Sequence, residues 1–258
     1  MSRKKRDKFR TNKMKFEKII ASETKKIKLK ITPEMLNVFK VYKNLLQQWN
    51  NTRFNLTSIL DDDEIAIKHF IDSFHLVQAM PIKGNEKLID VGTGAGFPGL
   101  PIKIVFPSLN LTLVDSQKKK VFFIGMLLRR LGIEDVTLIN SRGEKLGKEK
   151  EFRKKFDIVT MREVSKIAVI SEIALPLLKI GGNAIFWKGG KEIEQIEKCV
   201  PFIEKLGGHI KNIKEYQLPH TSHKSYLICI EKVKETPQKY PRSYSSILKS
   251  LKKNAGKR

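Results

Sequence analysis

Cysteine, long apolar runs and acidic residues are all in short supply in this sequence of 258 residues, and each shortage removes a class of protein. The two cysteines, Cys199 and Cys229, lie thirty residues apart, outside any CxxC spacing and away from any histidine cluster. Neither a zinc site nor a disulfide framework fits that pattern, so no metal is expected and a reduced, cytoplasmic setting is. The longest apolar run, about eight residues over Val121–Leu128, is far below the ~20 needed to span a bilayer, and the basic N-terminus lacks the apolar core of a signal peptide. A soluble chain with no membrane partner follows. With 40% hydrophobic content, one sizeable core plus appendages is expected rather than two full domains.

Acids number 27 against 51 Lys and Arg, and the resulting charge of +24 is concentrated at the two ends. Residues 1–30 hold 13 basic side chains against 3 acids, and residues 232–258 hold 9 against 1, so the 201 residues between carry only +6. Basic arms of this kind neutralise phosphates and release counterions, the electrostatic footprint of a nucleic-acid binder. Lysine outnumbers arginine 40 to 11, which codon bias would also produce and which speaks against an organellar targeting role for residues 1–20.

Along the chain, residues 1–30 are charged and poorly patterned and are expected to be a flexible arm. Thr32-Pro33-Glu34 then reads as a helix start, with Thr as N-cap and Pro at the first helical position. Leu36, Phe39, Val41, Tyr42, Leu45, Leu46 and Trp49 give the following helix one apolar stripe. A second helical stretch begins after the acidic run Asp61–Glu64 and ends near Met80, making residues 31–83 a helical cap. From there the texture changes to short apolar runs alternating with helical patterns, as in a parallel sheet covered by crossover helices. Strands are predicted at Leu88–Val91, Leu111–Val114, Val136–Ile139, Phe156–Thr160, Ala184–Trp187, His209–Gln217 and Ser225–Ile230. Helices are predicted at Leu100–Phe106, Gln117–Leu131, Val164–Leu178 and Lys191–Leu206, with Gly132, Gly181-Gly182 and Gly207-Gly208 as their stops. That makes 84–231 one α/β domain with a seven-stranded, mostly parallel sheet and helices on both faces. Residues 232–258 form a basic tail in which Thr236–Arg258 is expected to be disordered, and no internal repeat is present.

The predicted strand Leu88–Val91 runs into Gly92-Thr93-Gly94-Ala95-Gly96-Phe97-Pro98-Gly99, and a helix follows. Nucleotide-like ligands lodge at such a turn, because glycines let backbone amides approach and the helix N-terminus offers unpaired donors. Gly94, Gly96 and Gly99 match a dinucleotide GxGxxG pattern, with Asp115 about 20 residues on as the ribose-binding acid. On the loop alone NAD and S-adenosylmethionine both remain open. Asp90 favours the second, since a carboxylate there can face an ammonium and would repel a pyrophosphate. Pro98 and Pro101 also disturb the clean array of amides that a pyrophosphate needs.

The runs LIDVGTGAGFPGLPIKIVFP, LTLVDSQKKKVFFI, NSRGEKL, FDIVTMREV and LPLLKIGGNAIFWKG, with WNNTRFNLTS at 49–58 and KHFIDSFHL at 68–76, resemble the bacterial 16S rRNA guanine-N7 methyltransferases of the glucose-inhibited division B type. The resemblance covers about residues 32–231. It implies a Rossmann-like class I methyltransferase fold, S-adenosylmethionine as cofactor, and 16S rRNA or the small-subunit particle as partner; it does not extend to the oligomeric state, for which a monomer is expected. It further implies that Gly92 and Phe97 line the cofactor, that Gly143 and Glu144 border its adenine, and that Arg162 sits where cofactor meets substrate. Asn55 and His69 resemble positions on the substrate side.

Chemistry supports several of these roles. Asp115, at the tip of the second strand, suits two ribose hydroxyls, while Glu144 also has the spacing of a simple helix-start carboxylate in Ser141-Arg142-Gly143-Glu144. A guanidinium at Arg162 suits phosphate or the N7/O6 edge of guanine, although Glu163 follows it where the family has alanine and offers a local ion pair. Arg142, Lys118, Lys119, Lys120 and Lys188 are each placed to reach RNA phosphate or to be ordinary surface charges. Trp187 is expected in the core, and His220 and His223 receive no role. Guanine N7 carries an in-plane lone pair and needs no deprotonation, which agrees with the lack of a Pro-Cys setting and of an Asn/Asp-Pro-Pro-aromatic run. A nicotinamide-dependent oxidoreductase and a non-catalytic RNA-binding protein are the rivals; intact Asp90, the loop glycines and Asp115 weigh against the latter. The tail begins Tyr240-Pro241-Arg242 as the family's does, then departs into Ser243-Tyr244-Ser245-Ser246.

Overall fold

A computed structural model describes residues 16–50 and 54–255. Residues 1–15 of the basic arm, 51–53 within the WNNTRFNLTS run and 256–258 of the tail lie outside the described residues.

Helix α1 (Phe16–Lys26) corrects the expectation of an arm reaching to residue 30. Phe16, Ile19 and Ile20 stand three and four apart and are buried, so an apolar stripe exists among the lysines. Helix α2 (Pro33–Trp49) begins as read from sequence, with the Thr32 hydroxyl accepting the Met35 amide at 3.3 Å. Helix α3 (Asp62–Ile65) starts at Asp61, whose carboxylate accepts the amides of Asp63 and Glu64 at 3.0 and 3.2 Å. A π-helical stretch over Ala66–Ile71 continues it, followed by α4 (Asp72–Phe74) and α5 (Leu76–Ala79). Phe39, Tyr42, Phe70 and Phe74 are fully enclosed among these helices.

The sheet follows: β1 (Lys87–Val91), α6 (Gly99–Val105), β2 (Asn110–Asp115), α7 (Lys118–Leu131), β3 (Val136–Asn140), α8 (Gly143–Leu146), β4 (Phe156–Arg162), α9 (Ile167–Ala174) and β5 (Leu178–Gly189). Then come α10 (Gly190–Ile193), α11 (Val200–Lys205), β6 (Gly208–Gln217), β7 (Lys224–Lys232) and α12 (Tyr244–Ala255). The seven strands lie in the order β3-β2-β1-β4-β5-β7-β6, with β7 antiparallel to both neighbours. Residues alternate faces along each strand: Leu88 of β1 joins one core and Ile89 the other. The first core contains α6 and α7 together with α1 to α5, so the N-terminal helices extend one layer of the sheet domain instead of forming a module with its own core. Helices α9 and α11 pack on the second face.

Three expectations need correction. The region read as one helix over Lys191–Leu206 is broken into α10, a 3-10 turn at Ile196–Cys199 and α11, with Pro201 in the first turn of the last. The helix read as Val164–Leu178 is shorter, because Glu163 takes a left-handed φ of 53° and Pro176 lies just past its end. Gly181 and Gly182 therefore lie inside β5 and do not terminate a helix. The tail is folded within the described residues: Tyr240 and Ile247 are buried, and α12 packs on the second core.

Candidate active site

Strand β1 has a neighbour on each side, β2 and β4, whose crossover helices lie on opposite faces of the sheet. The chain cannot fill the space above the carboxyl end of such a strand, and a crevice opens there. The loop 92–98 at this point is held by α2. The Tyr42 hydroxyl donates to the Ala95 carbonyl at 2.6 Å, and a Cβ on Gly96 would lie 2.4 Å from that hydroxyl oxygen. Gly96 also has φ of 107°, so only glycine meets both demands.

Asp90 does not face the crevice as expected. It is fully buried: its Oδ1 accepts the Thr160 hydroxyl at 2.8 Å and its Oδ2 the Gly99 amide at 3.0 Å, which caps α6 and ties β1 to β4. Burial pushes its carboxyl above the usual range, and the hydroxyl and amide donors oppose that rise. Asp115, at the end of β2, accepts the Gly94 amide at 3.0 Å through Oδ2 and the Gln117 amide at 2.9 Å through Oδ1. Asp115 lines the crevice with Lys120, whose Nζ lies 3.9 Å from Oδ2, and each carboxylate oxygen has a second lone pair beyond the one its amide uses. Across the opening, Arg142 Nε donates to Glu144 Oε1 at 2.7 Å. Gly143 is pressed so closely against the sheet that a Cβ would meet Val91 Cγ1 at 2.5 Å and Ile173 Cγ2 at 2.8 Å.

Arg162, the last residue of β4, is almost enclosed by helical residues. Its Nη1 donates to the Lys68 carbonyl and to Asp72 Oδ2, both at 3.0 Å, and its Nη2 approaches His69 Nδ1 at 3.3 Å. The guanidinium also lies over the Phe97 ring, 5.5 Å from its centroid. Arginine only donates, so His69 Nδ1 is the acceptor and Nε2 carries the proton, donating to the Thr57 hydroxyl at 2.9 Å. Burial and the adjacent Arg162 pull the His69 pKa down to about 3. Asp72 is the other partner. Burial raises its carboxyl, Arg162 opposes that rise, and Tyr216 donates to its Oδ1 while its backbone carbonyl accepts the Trp187 indole N–H at 2.9 Å.

The resulting cleft holds about 320 Å³. Of the residues read as cofactor-binding, Gly92, Asp115, Gly143, Glu144 and Arg162 border it together, whereas Asp90, Gly94, Gly96 and Phe97 do not. Phe97 is instead stacked between Tyr42 and His69, at 5.0 and 4.7 Å between ring centroids. Among the substrate-side expectations, Arg142 is exposed at the rim and Asn55 is exposed with a left-handed φ of 45°. His69 is buried behind Arg162. Lys188 is neither a phosphate contact nor a solvated charge: its ammonium is buried, donates to the Ser165 carbonyl and lies 3.6 Å from Glu192, and burial lowers its pKa. Arg162 pairs with Asp72 and not with Glu163. Sequence reasoning missed Asp72 and Tyr244, which lines the cleft from the tail. For Asp72 a signal existed, an acid on the buried side of an otherwise apolar helical run.

A seven-stranded sheet with one reversed strand next to its edge, and a glycine turn opening on a cleft at its carboxyl end, defines the Rossmann-like methyltransferase class. Solved structures share that fold: TYW2 from M. jannaschii in complex with AdoMet, with a TM-score of 0.50 and 15% identity, matches over 63% of this chain and 76% of its own. TrmN from Thermus thermophilus matches with a TM-score of 0.51 and 13% identity over 63% of this chain and 48% of its own. The family model described as rRNA small subunit methyltransferase G matches residues 35–223. A curated Ribosomal RNA small subunit methyltransferase G from Caldanaerobacter subterraneus subsp. tengcongensis is 43% identical over 221 residues, 85% of this chain and 92% of the relative. One from Clostridium botulinum strain Loch Maree is 41% identical over 236 residues, 92% of this chain and 98% of the relative. The chain belongs to the rRNA small subunit methyltransferase G family and is a methyltransferase, as its motifs implied. Among the described residues no helix is long and apolar enough to cross a membrane.

Proposed function

We propose that the cleft binds S-adenosylmethionine and that the chain directs its methyl group to N7 of a guanine in 16S rRNA, as a cytoplasmic enzyme acting on the small ribosomal subunit. The observation that carries this reading is the gathering of Gly92, Asp115, Gly143, Glu144 and Arg162, distant in sequence, around one opening. The donor set suits a nucleoside: a carboxylate with lone pairs for ribose hydroxyls, beside a wall whose shape is set by the close packing of Gly143 on Val91 and Ile173. When bound, S-adenosylmethionine supplies an electrophilic methyl group.

The residues around the cleft act by position. Guanine N7 attacks through an existing lone pair, so no side chain has to remove a proton. That suits this site. His69 is a neutral hydrogen-bond acceptor held by Arg162, and Arg162 is held by Asp72, so neither is poised as a base. The Asp72 carboxylate also offsets the guanidinium charge, which would otherwise oppose the cation formed on the methylated base. Arg162 then serves as a donor fixed at the meeting point of cofactor and base, and placing two reactants in register is where most of the acceleration arises.

The test is transfer of labelled methyl groups to small-subunit RNA from cells lacking the protein, with the product mapped by mass spectrometry. A single N7-methylguanine is expected, lost in Arg162→Ala with the fold intact. Methylation of another base atom, or full activity in Arg162→Ala, contradicts the reading.

A further inference from the structure

The last turn of the cleft wall comes from the tail, where this sequence leaves the family pattern. Four contacts bring it there. Arg153 Nη1 donates to the carbonyls of Gly147 and Tyr240 at 2.7 and 2.8 Å, and its Nη2 to that of Thr236 at 2.8 Å. Pro241 rests on Gly147, where a Cβ would lie 2.8 Å from its Cγ. Arg242 grips the fully buried Glu172 of α9, with Nε to Oε1 at 2.9 Å, Nη2 to Oε2 at 2.6 Å and its own amide to Oε1 at 2.8 Å. Ile247, one turn into α12, is buried in the second core.

Tyr244 lies between those last two anchors. Its ring sits on the Arg142 guanidinium, 4.5 Å from the ring centroid, and borders the cleft beside Gly143 and Glu144. The tail is secured by Arg242 before it and Ile247 after it, and the Tyr244 ring adds its own packing against the second core. It is half-buried, with part of its surface turned to the cleft. Arg142 is itself bonded to Glu144, so ring and guanidinium lie together at the end of the cleft that the preceding reading gives to the purine.

We propose that Tyr244 is a cofactor-binding residue, its ring forming the wall against which the adenine of S-adenosylmethionine is held. The proposal rests on the reading of the cleft as an S-adenosylmethionine site. The chemistry is that of an aromatic side chain against a purine: a π-face is required and the phenol hydroxyl is not.

Isothermal titration of the full chain with S-adenosylmethionine tests it, alongside adenosine as a probe lacking the methionine. Tyr244→Ala is expected to weaken both ligands about tenfold, toward the lower end of what aromatic–base stacking yields. Tyr244→Phe is expected to stay within about twofold of the parent, while Tyr244→Leu, which keeps the apolar bulk that secures folding, follows Tyr244→Ala. Unchanged binding in Tyr244→Ala and Tyr244→Leu overturns the proposal, as does an equal loss in Tyr244→Phe. Asp115→Asn separates the two readings. If the parent binds and Asp115→Asn weakens it while Tyr244→Ala does not, only the tail's role falls; if the parent binds no S-adenosylmethionine, both fall.

Discussion

Arg162 is the residue on which the site turns, and its surroundings determine how it fails. The charge of a side chain only 9% exposed is compensated by Asp72, equally enclosed, which stands 3.0 Å away. Removing one member of such a pair strands the other, a loss of about 3–5 kcal/mol. Asp72→Ala is therefore expected to lower the free energy of urea unfolding by that amount, and Asp72→Asn, which keeps the acceptor for Arg162, by clearly less. A pair contributing under 1 kcal/mol would show that solvent reaches it. His69 makes a pH-dependent contribution. Its folded pKa of about 3 lies below the ordinary 6.5, so between those values the unfolded chain takes up a proton that the folded chain refuses. Stability is whole above about pH 6.5 and is lost as pH falls toward 3, by on the order of a few kcal/mol. Urea midpoints from pH 7 down to 4 check this, and His69→Gln is expected to flatten part of the slope. Asp115 could be read directly from the sequence because it sits where a strand pattern stops, whereas Gly143 came only through the family resemblance. Tyr244 could not, since its partner is 102 residues away along the chain, and for Asp72 the acid within an apolar run was a signal but its pairing with Arg162, 90 residues on, was not.

At the scale of elements, the glycine loop is a joint between α2 and β1, and its shape depends on a helix that precedes it by fifty residues. Tyr42 both donates to Ala95 and occupies the space that any side chain at position 96 would need. Gly96→Ala is expected to cost about 1–3 kcal/mol through its left-handed φ and the clash together. Tyr42→Phe alone loses one buried hydrogen bond, about 0.5–1.5 kcal/mol. Because the phenol oxygen is also the obstacle, the double variant is expected to lose less than the sum, and a thermal double-mutant cycle measures the difference. Strict additivity would mean that the loop moves away from α2. The first three strands and α7 were legible because each apolar run ends in a turn residue, and Gly132 closes α7 with φ of 62° as its position suggested; β4 runs two residues past its expected end at Thr160. Helix α1 was obscured by charge: Phe16, Ile19 and Ile20 have the right spacing, but lysines surround them and local patterning gives no sign of the core they meet.

For the whole molecule, the two cores explain why cap and sheet domain act as one body. The face built from α1 to α7 carries the helical residues that grip Arg162, and the opposite face carries Glu172, which holds the tail; the cleft lies where both reach the carboxyl edge of the sheet. The number of strands and their alternation with helices were readable. The insertion of β7 between β5 and β6 was not, because an alternating pattern identifies a strand without naming its neighbour. The docked tail was hidden for a related reason: its bonds to Arg153 and Glu172 span about 70 residues or more, and a basic composition resembles that of a solvated arm. The most direct measurement is a crystal structure with S-adenosylmethionine. The ribose hydroxyls are expected on the Asp115 carboxylate, the adenine beside Gly143 and Glu144, and the methyl group toward Arg162. A cofactor bound elsewhere, or a cleft left empty at saturating concentration, would contradict this arrangement.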